Sequence, residues 1–197
     1  MRRAAACAAL PLAALLLCGC AAVPRQEAPA AAPPAWLATP AIWRMRQVVL
    51  IEYGEAKFAI QGLMELDAAT GNIRLAALDD FGVTLFRLTV GRANDHVDFL
   101  LPLVPRGEDV TRAVAASLRR IYLDAGTVAP GGAGVLFEAG PDGNVASARP
   151  RGSGGWRVWY DAYGDAGGVP VPRQIRFQQR DGASLKITQE SVKRVDK

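Results

Sequence analysis

Beyond its first twenty residues the chain has no cysteine; Cys7, Cys18 and Cys20 are the three it contains. No disulfide can therefore staple the part that follows, which must hold together by burial and backbone hydrogen bonds. Histidine is nearly missing as well, with His96 alone. A zinc site needs three or four Cys, His or carboxylate ligands, and the cysteines and histidines for one are lacking. His96 stands beside Asp95 and Asp98, but a lone general base needs a nucleophile and an orienting partner, and none can be named. A structural or surface role is the expectation for it. The acidic pair Asp79-Asp80 and the residues 161–165 lack the dense spacing of a calcium loop and read as turns. Glycines at 131–134 and 152–155 are not followed by Lys-Ser/Thr and sit in no βαβ unit, which excludes a phosphate loop. The chain is expected not to be an enzyme and to need no cofactor and no metal.

What is present begins at the N-terminus. Arg2 and Arg3 precede an apolar run over residues 4–17, broken only by Pro11. That is the layout of a secretory signal. The run is short for a membrane span, which takes about 20 residues to cross roughly 30 Å of hydrocarbon. Leu17-Cys18-Gly19-Cys20 resembles a bacterial lipobox, in which the last cysteine is lipidated and becomes the mature N-terminus. Cys18 departs from the Ala, Ser, Thr or Val usual at its place. A plain signal peptide cut within residues 21–35 is the other reading. On the lipobox reading, residues 1–19 are the signal, Cys20 is the acylated anchor, and Ala21 after it implies the outer membrane, facing the periplasm. No later run approaches spanning length, so the protein is expected to be anchored without crossing. Losing Arg2 and Arg3 lowers the formal charge of +4 by two. So balanced a chain on the export route is not expected to meet nucleic acid.

Residues 20–40 are alanine- and proline-rich, with five prolines between 24 and 40, and read as an extended tether. Residues 41–197 are long enough for one core and one domain, with no internal repeat. Residues 45–53, 57–66, 72–78, 83–90 and 96–101 read as strands joined by short turns, an antiparallel meander. Asp67 to Gly71 and Asp79 to Gly82 supply the turn chemistry. One helix is expected: Val110, Val114, Leu118, Ile121 and Tyr122 share a stripe, Glu108 and Asp109 lie in the first turn, Arg119 and Arg120 in the last, and Gly126 is a suitable stop. Strands resume at 134–139, 145–148, 156–163, 171–180 and 184–192.

The strand faces carrying Phe58, Ile60, Met64, Leu66, Leu75, Phe86, Leu88, Trp156, Val158, Tyr160, Ile175 and Phe177 must point somewhere. They form either an ordinary packed core or, if the sheet curls under the helix, the lining of a hydrophobic cavity for a lipophilic ligand. Composition alone leaves both open.

Asn72-Ile-Arg-Leu-Ala-Ala-Leu-Asp-Asp-Phe-Gly-Val-Thr-Leu-Phe-Arg-Leu resembles the strand–loop–strand core of the LolB family of outer-membrane lipoprotein receptors and their lipoprotein relatives. Trp156-Arg-Val-Trp-Tyr-Asp-Ala-Tyr, Val171-Pro-Arg-Gln-Ile-Arg-Phe and Ser184-Leu-Lys-Ile-Thr are similar to that family's closing strands. The resemblance implies a mainly β fold with one or two helices, an incomplete antiparallel β-barrel with a helical lid over a hydrophobic cavity. It implies a monomer that takes acyl chains or a lipid-linked product from a LolA-like periplasmic carrier and passes them to outer-membrane lipid. It also implies that Phe81, before Gly82, projects to contact the membrane. One departure is that glycines 131–134 stand where a second lid helix belongs. A lipoprotein with a solid core and a protein partner in the envelope is the alternative.

Overall fold

The computed structural model describes residues 32–125, 134–152, 154–180 and 182–195. Cys20, most of the tether, the helix stop expected at Gly126, and Gly131 and Gly132 lie outside these residues. A short helix α1 (Ala35–Ala38) precedes β1 (Ile42–Tyr53), β2 (Ala56–Asp67), β3 (Asn72–Leu78), β4 (Thr84–Val90) and β5 (Asp95–Leu100). Helix α2 (Gly107–Leu118) follows and runs on as a π-helical turn, Arg119–Asp124. The chain ends with β6 (Val135–Ala139), β7 (Val145–Pro150), β8 (Trp156–Asp165), β9 (Pro170–Gln179) and β10 (Ala183–Val195).

All ten strands form one antiparallel sheet in the order β5-β4-β3-β2-β1-β10-β9-β8-β7-β6. The first and last strands are its spine, paired from Ile42↔Val195 to Tyr53↔Ala183. β5 and β6 are the free edges, so the sheet stays open, an incomplete barrel. The hairpins form where the turn residues demand. Asp67 Oδ1 accepts the backbone N–H groups of Ala69 and Thr70 at 3.0 and 3.2 Å, and Gly71 takes the positive φ of +70° that closes the turn.

Alternation then sorts the side chains. On β2, Ile60, Met64 and Leu66 are buried while Lys57 is exposed; β4 buries Phe86, Leu88 and Val90. The stripe of α2 lies on this covered face: Val110, Val114 and Leu118 are buried, as are Ile121, Tyr122 and Leu123 of the π turn. A helix resting on a sheet would bury one side only. Three consecutive buried residues mean that this end of the lid is enclosed from several directions. The enclosing element is α1. It falls within the alanine- and proline-rich stretch expected to be tether, yet Trp36 and Leu37 are buried in the core, and the Trp36 ring meets Tyr122 edge-on at 5.6 Å. Two large apolar residues among prolines have no periodicity to reveal them.

The lid is latched to both halves of the sheet by polar contacts near its end. Arg119 donates to the Gly91 carbonyl at 3.0 Å and pairs with Asp95 of β5. Arg120 donates to Gln179 Oε1 of β9 at 2.8 Å, and the Tyr160 hydroxyl of β8 donates to the Ile121 carbonyl at 3.1 Å. The last-turn arginines therefore do more than complement the helix dipole.

Candidate functional site

Ten of the twelve expected inward residues (Ile60, Met64, Leu66, Leu75, Phe86, Leu88, Val158, Tyr160, Ile175 and Phe177) are buried in one continuous cluster. Phe58 and Trp156 are half-buried against it. The sheet thus brings all twelve together on the face beneath α2. At one margin of that face the packing opens: a cavity of about 410 Å³ lies between free-edge β5 and α2, lined by Leu88, Val97, Leu100, Thr111, Ala115 and His96 among others. Leu88 connects it to the buried face. His96 itself is exposed on β5, with Nε2 at 3.8 Å from Asp98 Oδ1.

Sequence patterns pointed to an oily interior but passed over the polar groups inside it. Gln47 of β1 and Gln189 of β10 are buried and face each other across the spine. The β1–β10 register shifts between Arg46 and Gln47, so a bulge sits at this pair, the kind of irregularity that re-aims side chains. Gln47 Nε2 reaches only the Met64 sulfur, at 3.9 Å, a weak acceptor. Gln47 Oε1, both terminal atoms of Gln189, the Tyr122 hydroxyl and the indole nitrogens of Trp36 and Trp43 are buried with no hydrogen-bond partner in the protein. Burial pushes the Tyr122 hydroxyl well above its ordinary pKa. Gln189 is near enough to offset part of that rise. A buried polar group left unpaired costs about 1–3 kcal/mol, and natural proteins carry only a few per 100 residues. Their signal was available in the sequence. Gln47 alternates inward with Met45, Val49 and Ile51, and Gln189 with Leu185 and Ile187.

The open face is of another character. Its groove of about 830 Å³ is lined by Arg44, Arg46, Arg74, Arg87, Lys193 and the half-exposed Leu63, together with Glu65 and Asp98. Arg44 pairs with Glu65 at 3.0 Å and Arg46 with Glu190 at 2.9 Å. Arg87 stacks over Phe99 at 5.6 Å.

Phe81 stands at the β3–β4 turn with 92% of its surface exposed. Asp79 fixes it there: its Oδ1 accepts the N–H of Phe81 at 2.9 Å and of Val83 at 2.8 Å. Its carbonyl accepts that of Gly82 at 3.0 Å, and Gly82 holds a φ of +82° with open space around it. Val83 beside it is half-exposed, and Leu103, in the loop after β5, is also exposed. Among the described residues no three His, Cys, Asp or Glu side chains group as metal ligands, and no helix is long and apolar enough to cross a membrane.

No protein-family model matches the sequence, and no curated protein matches it. Solved structures do resemble it. A LolA superfamily protein from Nitrosomonas europaea superposes with a TM-score of 0.52 at 11% identity, over 85% of this chain and 96% of that one. A DUF1329 family protein from Desulfovibrio piger gives 0.48 at 9% identity, over 81% and 88%. A putative outer membrane lipoprotein-sorting protein domain from Vibrio parahaemolyticus gives 0.47 at 7%, over 79% and 86%. The first of these likenesses places the chain in a LolA-like fold.

Proposed function

We propose that the chain is a lipid-anchored envelope protein that receives a lipophilic cargo beneath α2 and passes it to the outer membrane. The observation that carries this reading is the seam between α2 and the free-edge strand β5. There an apolar-lined cavity adjoins the buried face of an unclosed sheet. An acyl chain entering from that side gains roughly 0.8 kcal/mol for each methylene it buries. Arg120, bonded to Gln179 of β9, and the Ile121 carbonyl, bonded to Tyr160 of β8, keep the helix attached to the other half of the sheet, while the Arg119–Asp95 pair closes one end of the seam. The twelve inward residues from Phe58 to Phe177 are the proposed lining. The LolA-like fold supports a carrier, and the residues quoted from 72–88 favour a LolB-like receptor over a soluble carrier. Cys20, outside the described residues, is the proposed acyl anchor, and incorporation of labelled palmitate at that position tests it. A LolA-like periplasmic protein is the proposed donor, lipoprotein acyl chains or a lipid-linked product the cargo, and the working unit a monomer.

Phe81 is the proposed membrane contact, since a turn fixed by Asp79 holds a large apolar ring in water with the half-exposed Val83 beside it. Phe81→Ser is expected to weaken association of the protein with outer-membrane-like vesicles about tenfold, roughly the burial energy of one aromatic ring. Unchanged vesicle binding removes the role. The cargo is tested by native mass spectrometry of the purified protein. One bound lipid per chain is expected, and persistent absence of lipid favours the second reading. That reading, an assembly lipoprotein with a solid core and a protein partner, draws on two observations: ten inward residues already pack in one cluster, and a groove of about 830 Å³ lies on the charged outer face.

A further inference from the structure

We infer that the buried Gln47–Gln189 pair, with Tyr122, forms a polar waist inside the apolar interior that binds the carbonyl of an acyl ester or amide. This rests on the carrier reading and narrows it, because an interior built only to dissolve alkyl chains has no use for these groups. Three features bring them together. Gln47 and Gln189 are partners across the spine at a bulge. Gln47 also pairs with Gly62 on its other side, where a Cβ would come within 3.0 Å of Gln47 Cγ and 3.2 Å of its Nε2; the glycine leaves the slot in which the carboxamide lies. The π turn, a form found mostly as short bulges at functional sites, carries Tyr122 toward Gln189, and Trp36 abuts Tyr122.

The atoms left without partners define the ligand. Gln189 Nε2 and the Tyr122 hydroxyl are donors, while Gln47 Oε1 and Gln189 Oε1 are acceptors. A carbonyl oxygen takes the donors, and an amide N–H can in addition use an acceptor. No Lys, Arg, Asp or Glu is buried among the described residues, so a phosphate or free carboxylate would enter uncompensated. The waist therefore suits the neutral linkage between a polar backbone and its acyl chains.

Room for the ligand comes from Trp36. It is carried by a four-residue helix set between Pro33-Pro34 and Pro40, and a helix so short has no independent stability. In the empty protein the indole closes the site. With cargo bound, it withdraws and the carbonyl replaces it against Tyr122.

The test compares a dioleoyl ester glycerolipid, an N-acylated amide lipid and the dioleyl ether analogue of the first, which keeps the chains and loses the carbonyls. They are titrated against the full chain carrying Cys20→Ala, stripped of lipid. The expected result is that ester or amide binds at least about tenfold more tightly than ether, the scale of one or two buried hydrogen bonds. In the double variant Gln47→Leu, Gln189→Leu that preference falls below about threefold. The stronger of the ester and amide arms identifies the linkage. Equal affinity for ester, amide and ether in the wild-type chain overturns the waist while the carrier reading stands. No binding of any of the three overturns both. The wild-type comparison decides even if the double variant fails to fold.

Discussion

The two faces of the single sheet handle polarity in opposite ways. On the open face many charges have an answer close by. Arg44 meets Glu65 and Arg46 meets Glu190, and Glu138 collects Ser147 and Arg157 at 2.6 Å and Arg149 at 3.3 Å. On the covered face the polar groups are neutral and the ones at the spine go unanswered. Water makes an unpaired group cheap on the open side and expensive on the covered one. A fold selected for stability alone would arrange the reverse. The covered face therefore carries a demand that packing does not explain.

The comparison breaks most visibly if the covered face is truncated. Phe86→Ala removes a fully buried ring from β4 and is expected to cost about 3–5 kcal/mol, read as the free energy of urea unfolding. A loss under about 1 kcal/mol means that the interior is already loose at that point. Gln47→Leu sharpens the contrast because its sign is inverted. Substituting a side chain of similar size that needs no partner should leave the melting temperature unchanged or raise it by a few degrees. A clear fall means that Gln47 is well bonded in the protein. The smallest effect belongs to the open face. The Ser147 hydroxyl, then Arg149 and Arg157, hold the Glu138 carboxyl below its ordinary pKa of 4.5. The folded value lies beneath the unfolded one, so the contribution is present above pH 4.5 and is lost as pH falls through the folded pKa. With the side chain 43% exposed, screening holds it under about 1 kcal/mol. Glu138→Gln should therefore lower stability slightly at pH 7 and converge with the wild-type chain near pH 3 in a series of melts. A gap that persists at pH 3 assigns the loss to packing.

Local chemistry made most of this fold legible. The hairpins at Asp67–Gly71 and Asp79–Gly82 follow from side chains that cap their own turns, and alternation placed Phe86, Leu88, Val158 and Ile175 on the correct side. The helix stripe from Val110 to Tyr122 was correct in extent, although its last turn is π-helical, because an α-helical period fits both forms over so short a stretch. What stayed hidden depends on distance along the chain. The pairing of β1 with β10 joins residues more than a hundred positions apart, and no turn residue announces it. Trp36 was lost in a proline-rich stretch because its partner, Tyr122, is supplied by a distant helix. The glutamines were readable one strand at a time, as polar residues in inward positions, but only the sheet makes them neighbours.

The spine has a consequence for how the protein comes into being. A chain made from its N-terminus finishes β1 early and must wait for almost every other residue before β10 arrives to lie beside it. Until then one long side of β1, with its bare N–H and C=O groups and its Val and Ile, is an invitation to any passing strand. Removal of even the final dozen residues recreates that vulnerable moment permanently. Such a product should clump and be degraded, and no half-finished domain should survive to do part of the work.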